Sequence, residues 1–196
     1  MHSGASITSP PTFLNEVACV FNIFVQTLGY LGVLSFITSY AQKSRKNIIF
    51  FSFLARIFFV THYILLGGYA GAIQNAGGGV AAAVSGLRGK KPYDSPVMPV
   101  LIIVLTAVCG IVTFDKSLGI ISFLPALAML IQNPALWLKN QRNIRLLTLA
   151  GIPLWFIYNF SMGSLPAMIS DTLSASSLVY SLVRYDLLPY IKGRAV

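Results

Sequence analysis

The spacing of charges constrains this chain most. Its few charged and turn-forming residues divide it into seven apolar runs, at residues 17–40, 48–66, 69–87, 97–114, 118–138, 146–162 and 165–183. Each is close to the roughly 17 to 25 residues that a helix needs to cross about 30 Å of hydrocarbon. Within lipid only a helix or a closed barrel satisfies its own backbone. The runs lack the alternation of barrel strands, so they read as seven spanning helices. Composition agrees, with 56% of residues apolar and 10% charged. A soluble domain needs about a quarter charged residues to cover its surface. The third run is the weakest, because Gly77, Gly78 and Gly79 stand in its middle and each glycine costs about 1 kcal/mol of helix propensity. Those glycines imply either close helix packing or local unwinding.

The connections give a direction. Lys43, Arg45 and Lys46 follow the first run, and Arg88, Lys90 and Lys91 follow the third. Lys139, Arg142 and Arg145 follow the fifth run, and Arg184, Lys192 and Arg194 follow the seventh. If the N-terminus lies outside, all four clusters fall on one face, while the opposite connections hold only Lys116. The positive-inside rule makes the basic face cytoplasmic. The same distribution accounts for the formal charge of +9 without a nucleic-acid partner, since no basic-aromatic interleaving accompanies it. Cys19 and Cys109 lie inside apolar runs and read as small hydrophobes. Residues 1–14 read as a polar tail, without the basic start and small-residue cleavage site of a signal peptide.

Displacing the chain by 96 positions aligns one half with the other. Lys43, Asn47 and Ile48 meet Lys139, Asn143 and Ile144, while Gly67, Ile73, Ser85 and Arg88 meet Gly163, Ile169, Ser181 and Arg184. Gln74, Gly78, Ala81 and Ser85 also meet Ser170, Ser174, Ser177 and Ser181, a spacing that keeps each set on one helix face. A three-helix unit ends on the side opposite its start, so repeating it in the same orientation requires one additional crossing. The expected fold is therefore an all-α membrane protein of two parallel three-helix repeats, residues 17–87 and 118–185, joined by a linker helix at 97–114.

The segment His62-Tyr63-Ile64-Leu65-Leu66-Gly67, with Gly71, Asn75 and Arg88 beyond it, resembles the YgjV family of bacterial inner-membrane proteins. So does the second hairpin, Trp155-Phe156-Ile157-Tyr158-Asn159-Phe160 with Gly163-Ser164 and Met168-Ile169-Ser170-Asp171. The resemblance runs from Leu28 to Arg184 and implies a location in the bacterial inner membrane. More distantly, the three-one-three plan resembles SWEET and PnuC carriers, whose halves are parallel repeats. That resemblance implies transport only by analogy, because a fold does not fix a function.

Ionisable groups at membrane depth cost at least about 2.5 kcal/mol on insertion scales and tend to line functional cavities. Arg56, His62, Asn75 and Asp171 are the polar groups that matter here. Asn75 and Asp171 are repeat mates, each about 12 Å beyond its turn glycine at 1.5 Å per residue. In SWEET-like carriers paired asparagines at the matching places face a sugar, and Trp155 resembles their aromatic platform. Asp171 departs from that pattern, so a sugar does not follow from it. The candidate solute-binding residues are Asn75, Asp171, Trp155, Arg56 and Asn133. Asp171 is either a solute ligand or half of a structural pair with Arg56, and His62 reads as an interfacial hydrogen-bonder near the external face. The serine stripe from Ser170 reads first as a close-packing face. Pro134 and Pro153 resemble carrier hinges, although their mates Thr38 and Ile57 are not prolines.

No paired carboxylates, metal-ligand cluster, nucleophile elbow or phosphate-binding glycine motif is visible, so the expectation is a non-enzyme without cofactor or metal. The expected function is carriage of an unidentified small polar solute across the plasma membrane. A non-transporting scaffold or assembly partner is the alternative. The expected surroundings are lipid, with the C-terminus cytoplasmic.

Overall fold

A computed structural model of the chain describes residues 13–41, 45–87, 95–138 and 140–188. Among these are seven α-helices and no strand: α1 (Phe13–Ala41), α2 (Arg45–Leu65), α3 (Tyr69–Gly86), α4 (Val97–Val112), α5 (Leu124–Ala135), α6 (Gln141–Ser161) and α7 (Leu165–Ser181). The tail through Thr12 lies outside the described residues, as do Lys43, Arg88, Lys90, Lys91, Lys139, Lys192 and Arg194.

The glycine turns close both long hairpins in the same way. Gly67 takes φ +74° and Gly163 φ +65°, a left-handed conformation that glycine enters without a Cβ penalty. The Gly67 N–H donates to Ile64 O at 3.0 Å and the Gly68 N–H to Tyr63 O at 2.7 Å. At the second turn Gly163 donates to Phe160 O at 3.1 Å and Ser164 to Asn159 O at 2.9 Å. These are the paired bonds of a Schellman ending, which satisfy carbonyls that the helix end leaves open. At the opposite end of the second hairpin, the Asn140 side chain accepts the Arg142 N–H at 2.9 Å. This N-cap starts α6 at Gln141, within the basic connection and ahead of the apolar run.

One expectation needs correction, and one alternative is decided. The run at 118–138 is not one helix. Gly119, at φ +56°, opens a 3-10 turn over Gly119–Phe123. Only then does α5 begin, with Pro125 in its first turn, where a missing N–H costs nothing. Conversely, α3 does not unwind at its three glycines. A Cβ at Gly78 would stand 2.6 Å from Met129 Cε, and one at Gly79 would stand 2.8 Å from Arg56 Cδ. The glycines let α5 and the Arg56 side chain lie directly on α3.

Packing follows a closed order of neighbours: α1, α2, α3, α5, α6, α7 and back to α1, with α4 against α3 and α5. The core between them is aromatic, built on Phe59, Tyr63, Trp155 and Tyr158 with small Ala70, Ala72, Ala128 and Ala167. The outer surface is also apolar: Val112 is 76% exposed, Ile120 78% and Phe160 70%. Apolar area on that scale marks contact with a membrane or partner rather than water. Two helical stretches, Asn15–Thr38 and Arg142–Ser161, are long and apolar enough to cross a bilayer. Phe53–Leu65, Val97–Val112 and Gly119–Ala135 are shorter apolar helices.

Candidate functional site

A cavity of about 170 Å³ lies inside the order of helices. Residues from α2, α3, α5, α6 and α7 line it, and Phe36 of α1 closes one side. Asn75, Trp155 and Asp171 are all on its wall. Asn75 comes from α3 and Asp171 from α7, whose first residues Tyr69 and Leu165 are 96 positions apart.

One side is an aromatic stack. Phe59 and Tyr63 have ring centroids 6.3 Å apart at 29°, and Tyr63 and Trp155 have centroids 6.2 Å apart at 30°. A chain of polar contacts starts from that stack. The Tyr63 hydroxyl donates to Asn159 Oδ1 at 2.8 Å, and Asn159 Nδ2 donates to Asp171 Oδ2 at 2.8 Å. These bonds link α2 to α6 and α6 to α7, and they hold the carboxyl group in place beside the rings. Ser170 and Ser174 also line the cavity, so the serine stripe borders a void over its first turn.

Asn75 behaves differently. Its backbone carbonyl accepts Arg56 Nη1 at 3.0 Å, while its side-chain Oδ1 is buried with no partner. Arg56 is not on the cavity wall; its side chain passes alongside Gly78 and Gly79. Asn133 is also placed elsewhere. It is buried and donates through Nδ2 to Thr106 Oγ1 of α4 at 3.2 Å. Gln132 takes the lining position instead, with Nε2 bonded to Thr148 O at 3.0 Å. The structure therefore corrects the placement of Asn133, because neighbouring residues on a helix point about 100° apart.

His62 is a hydrogen-bonder, as expected, and is buried inside the fold, with Nδ1 2.7 Å from Val25 O and Nε2 2.7 Å from Ser164 Oγ. A carbonyl can only accept, so Nδ1 carries the hydrogen and Nε2 accepts from the serine. The residue joins α1, α2 and the start of α7. Tyr63, Asn159 and Gln132 are the site residues that sequence reasoning missed. The one available signal was Asn159, an amide within an apolar run, opposite which Tyr63 falls at the repeat offset.

A second cavity of about 450 Å³ lies where α3 meets the connection from α4, among Tyr69, Phe114, Asp115, Lys116 and Tyr158. In that connection the Ser117 hydroxyl and N–H donate to Asp115 Oδ1 at 2.7 and 2.8 Å. They hold its carboxyl below the usual carboxylate range. Among the described residues no group of three His, Cys, Asp or Glu side chains is placed to share a metal ion.

The all-α fold of the described residues and their apolar exterior are those of an α-helical membrane protein. The chain belongs to the Imp-YgjV family of bacterial inner membrane proteins, whose model matches residues 23–188. No curated protein and no solved structure matches it.

Proposed function

We propose that this protein crosses the bacterial inner membrane seven times and carries a small polar solute through the cavity between two parallel three-helix repeats, without catalysis. The observation that carries the reading is the cavity itself, which gathers Asn75, Trp155 and Asp171 from three helices. A carboxylate at membrane depth requires water, a cation or a proton, and a cavity is where these can enter.

The repeat reading is supported by matching boundaries. Helices α2 and α6 start at Arg45 and Gln141 and end at Leu65 and Ser161. The neighbour order also maps onto itself, with α1–α2, α2–α3 and α3–α5 corresponding to α5–α6, α6–α7 and α7–α1. In this reading α4 is the linker. The outside N-terminus and cytoplasmic C-terminus rest on the basic clusters.

A scaffold is the second reading, favoured by the Tyr63–Asn159–Asp171 bonds, which would also serve to cross-link three helices. The deciding experiment is uptake into proteoliposomes across a panel of amines, amino acids, sugars, nucleosides and vitamins. Uptake of one class, abolished by Asp171→Asn in a folded protein, supports the carrier. If folded protein moves none of them, the scaffold reading replaces it.

A further inference from the structure

The cavity's chemistry narrows the solute class, an inference that rests on the carrier reading above. Phe36, Phe59, Tyr63 and Trp155 all line it, and aromatic ring faces are electron-rich. Asp171 adds a carboxyl group, one oxygen of which is held by Asn159. Beside the cavity, Asn75 Oδ1 is a buried acceptor without a donor. Among the described residues, the lining contains no Lys, Arg or His. Arg56, the nearby cation on α2, gives Nη1 to the Asn75 carbonyl and lies along Gly78 and Gly79.

Ring faces, a carboxylate and an unmet acceptor all ask for positive charge and hydrogen-bond donors. An anion would meet the carboxyl group with no cation in the described lining to offset it, and a neutral polyol would leave that group's charge to be met by a proton. Cation–π attraction strengthens when the site is desolvated. The size suits a small solute. A volume of about 170 Å³ is close to the roughly 150 Å³ cavity that accommodates benzene.

We propose that the cavity takes a small organic cation, an ammonium compound of roughly six to nine non-hydrogen atoms, held beside the Asp171 carboxylate against the aromatic lining to which Phe36, Phe59, Tyr63 and Trp155 contribute.

The test is thermal stabilisation of the purified full chain in nanodiscs. The probes are choline and phenethylamine, with dimethylbutanol as the uncharged match to choline, glycine betaine as a zwitterion and glucose as a polyol. The ammonium probes should stabilise the protein, and dimethylbutanol should not. Asp171→Asn should keep the ligand-free melting temperature near that of the native chain and weaken ammonium binding at least about tenfold, as loss of a desolvated charge partner does. If that variant does not fold, Asp171→Glu and Trp155→Leu serve: the first should retain ammonium binding and the second should weaken it. Equal stabilisation by choline and dimethylbutanol, or unchanged choline binding in Asp171→Asn, would overturn the inference. Stabilisation by glucose or betaine alone overturns it too, but leaves the carrier reading standing. Ammonium binding without any uptake into proteoliposomes preserves the site and ends the carrier reading.

Discussion

The Tyr63 hydroxyl donates to Asn159 Oδ1 at 2.8 Å, and these two residues stand 96 positions apart, at the corresponding place in each hairpin. The bond ties α2 to α6 at the point where the aromatic stack meets the polar chain to Asp171. Tyr63→Phe removes the donor and leaves a buried amide oxygen unmet. A double-mutant cycle with Asn159→Leu should give a coupling energy of about 0.5 to 2 kcal/mol, the range of hydrogen bonds between membrane helices. Additive losses in thermal unfolding would mean that the bond contributes nothing.

Glycines offer a sharper contrast. A Cβ at Gly71 would stand 2.6 Å from Tyr158 Cε1, whereas Gly77 has nothing within 4 Å. Tyr158 is fully buried and its hydroxyl accepts the Gly71 N–H at 3.0 Å. Gly71→Ala should therefore cost about 1 to 3 kcal/mol, the usual penalty for overpacking. Gly77→Ala should be neutral or stabilising by up to about 1 kcal/mol, from helix propensity alone. Denaturation of the two variants side by side checks this, and equal losses would contradict the packing.

Asp115 gives a pH dependence. The Ser117 bonds lower its folded pKa below the ordinary 3.8. A depressed carboxylate adds stability above its unfolded pKa and loses it as pH falls through the folded value. Asp115→Asn should thus lower the melting temperature at pH 7, and the difference from the native chain should vanish as the pH drops below that range. A difference that persists undiminished in acid would show that the carboxylate's charge is not the cause.

Orientation can be read with reporters. Twelve of the fourteen Lys and Arg residues fall in the three basic connections and the C-terminal segment. A reporter fused after Gly193 should work only if it is a cytoplasmic one. Activity of a periplasmic reporter at that site refutes the seven-crossing arrangement.

Much of the fold was legible in the sequence because helix ends are marked by chemistry. Gly67 and Gly163 sit where only a left-handed residue closes the turn, and charges mark the other ends. The 3-10 turn at Gly119–Phe123 was not legible, since an apolar run looks the same whether its first turn is α or 3-10. Facing was harder still. On a soluble helix polar residues mark the outside, but here lipid and core are equally apolar, so periodicity could not place Asn133 or Gln132. Asn75 and Asp171 stood out because a polar group within an apolar run is costly, and both lie on the cavity wall. For a related reason the partners of His62, Val25 O and Ser164, were not legible: position along the helix says nothing of what a side chain faces.

Among the described residues, the contacts joining α1 to the start of α7 gather at one end. Gln26 Nε2 donates to Gly163 O at 2.9 Å, His62 connects Val25 to Ser164, and the position of a Cβ on Gly29 lies 2.7 Å from Pro166 Cγ. Phe36 and Ser174, which border the cavity, lie about 15 Å further along their helices at 1.5 Å per residue. The boundary between α1 and α7 is thus fastened like a zip with its slider at the glycine-turn end. The other flank, between α3 and α5, is clasped on its outer side by Thr106, which takes Gln74 at 3.1 Å and Asn133 at 3.2 Å. The described fastenings of α1 to α7 thus stand on the glycine-turn side of the cavity, so a change at Gln26, Gly29 or His62 acts first on that end of the boundary.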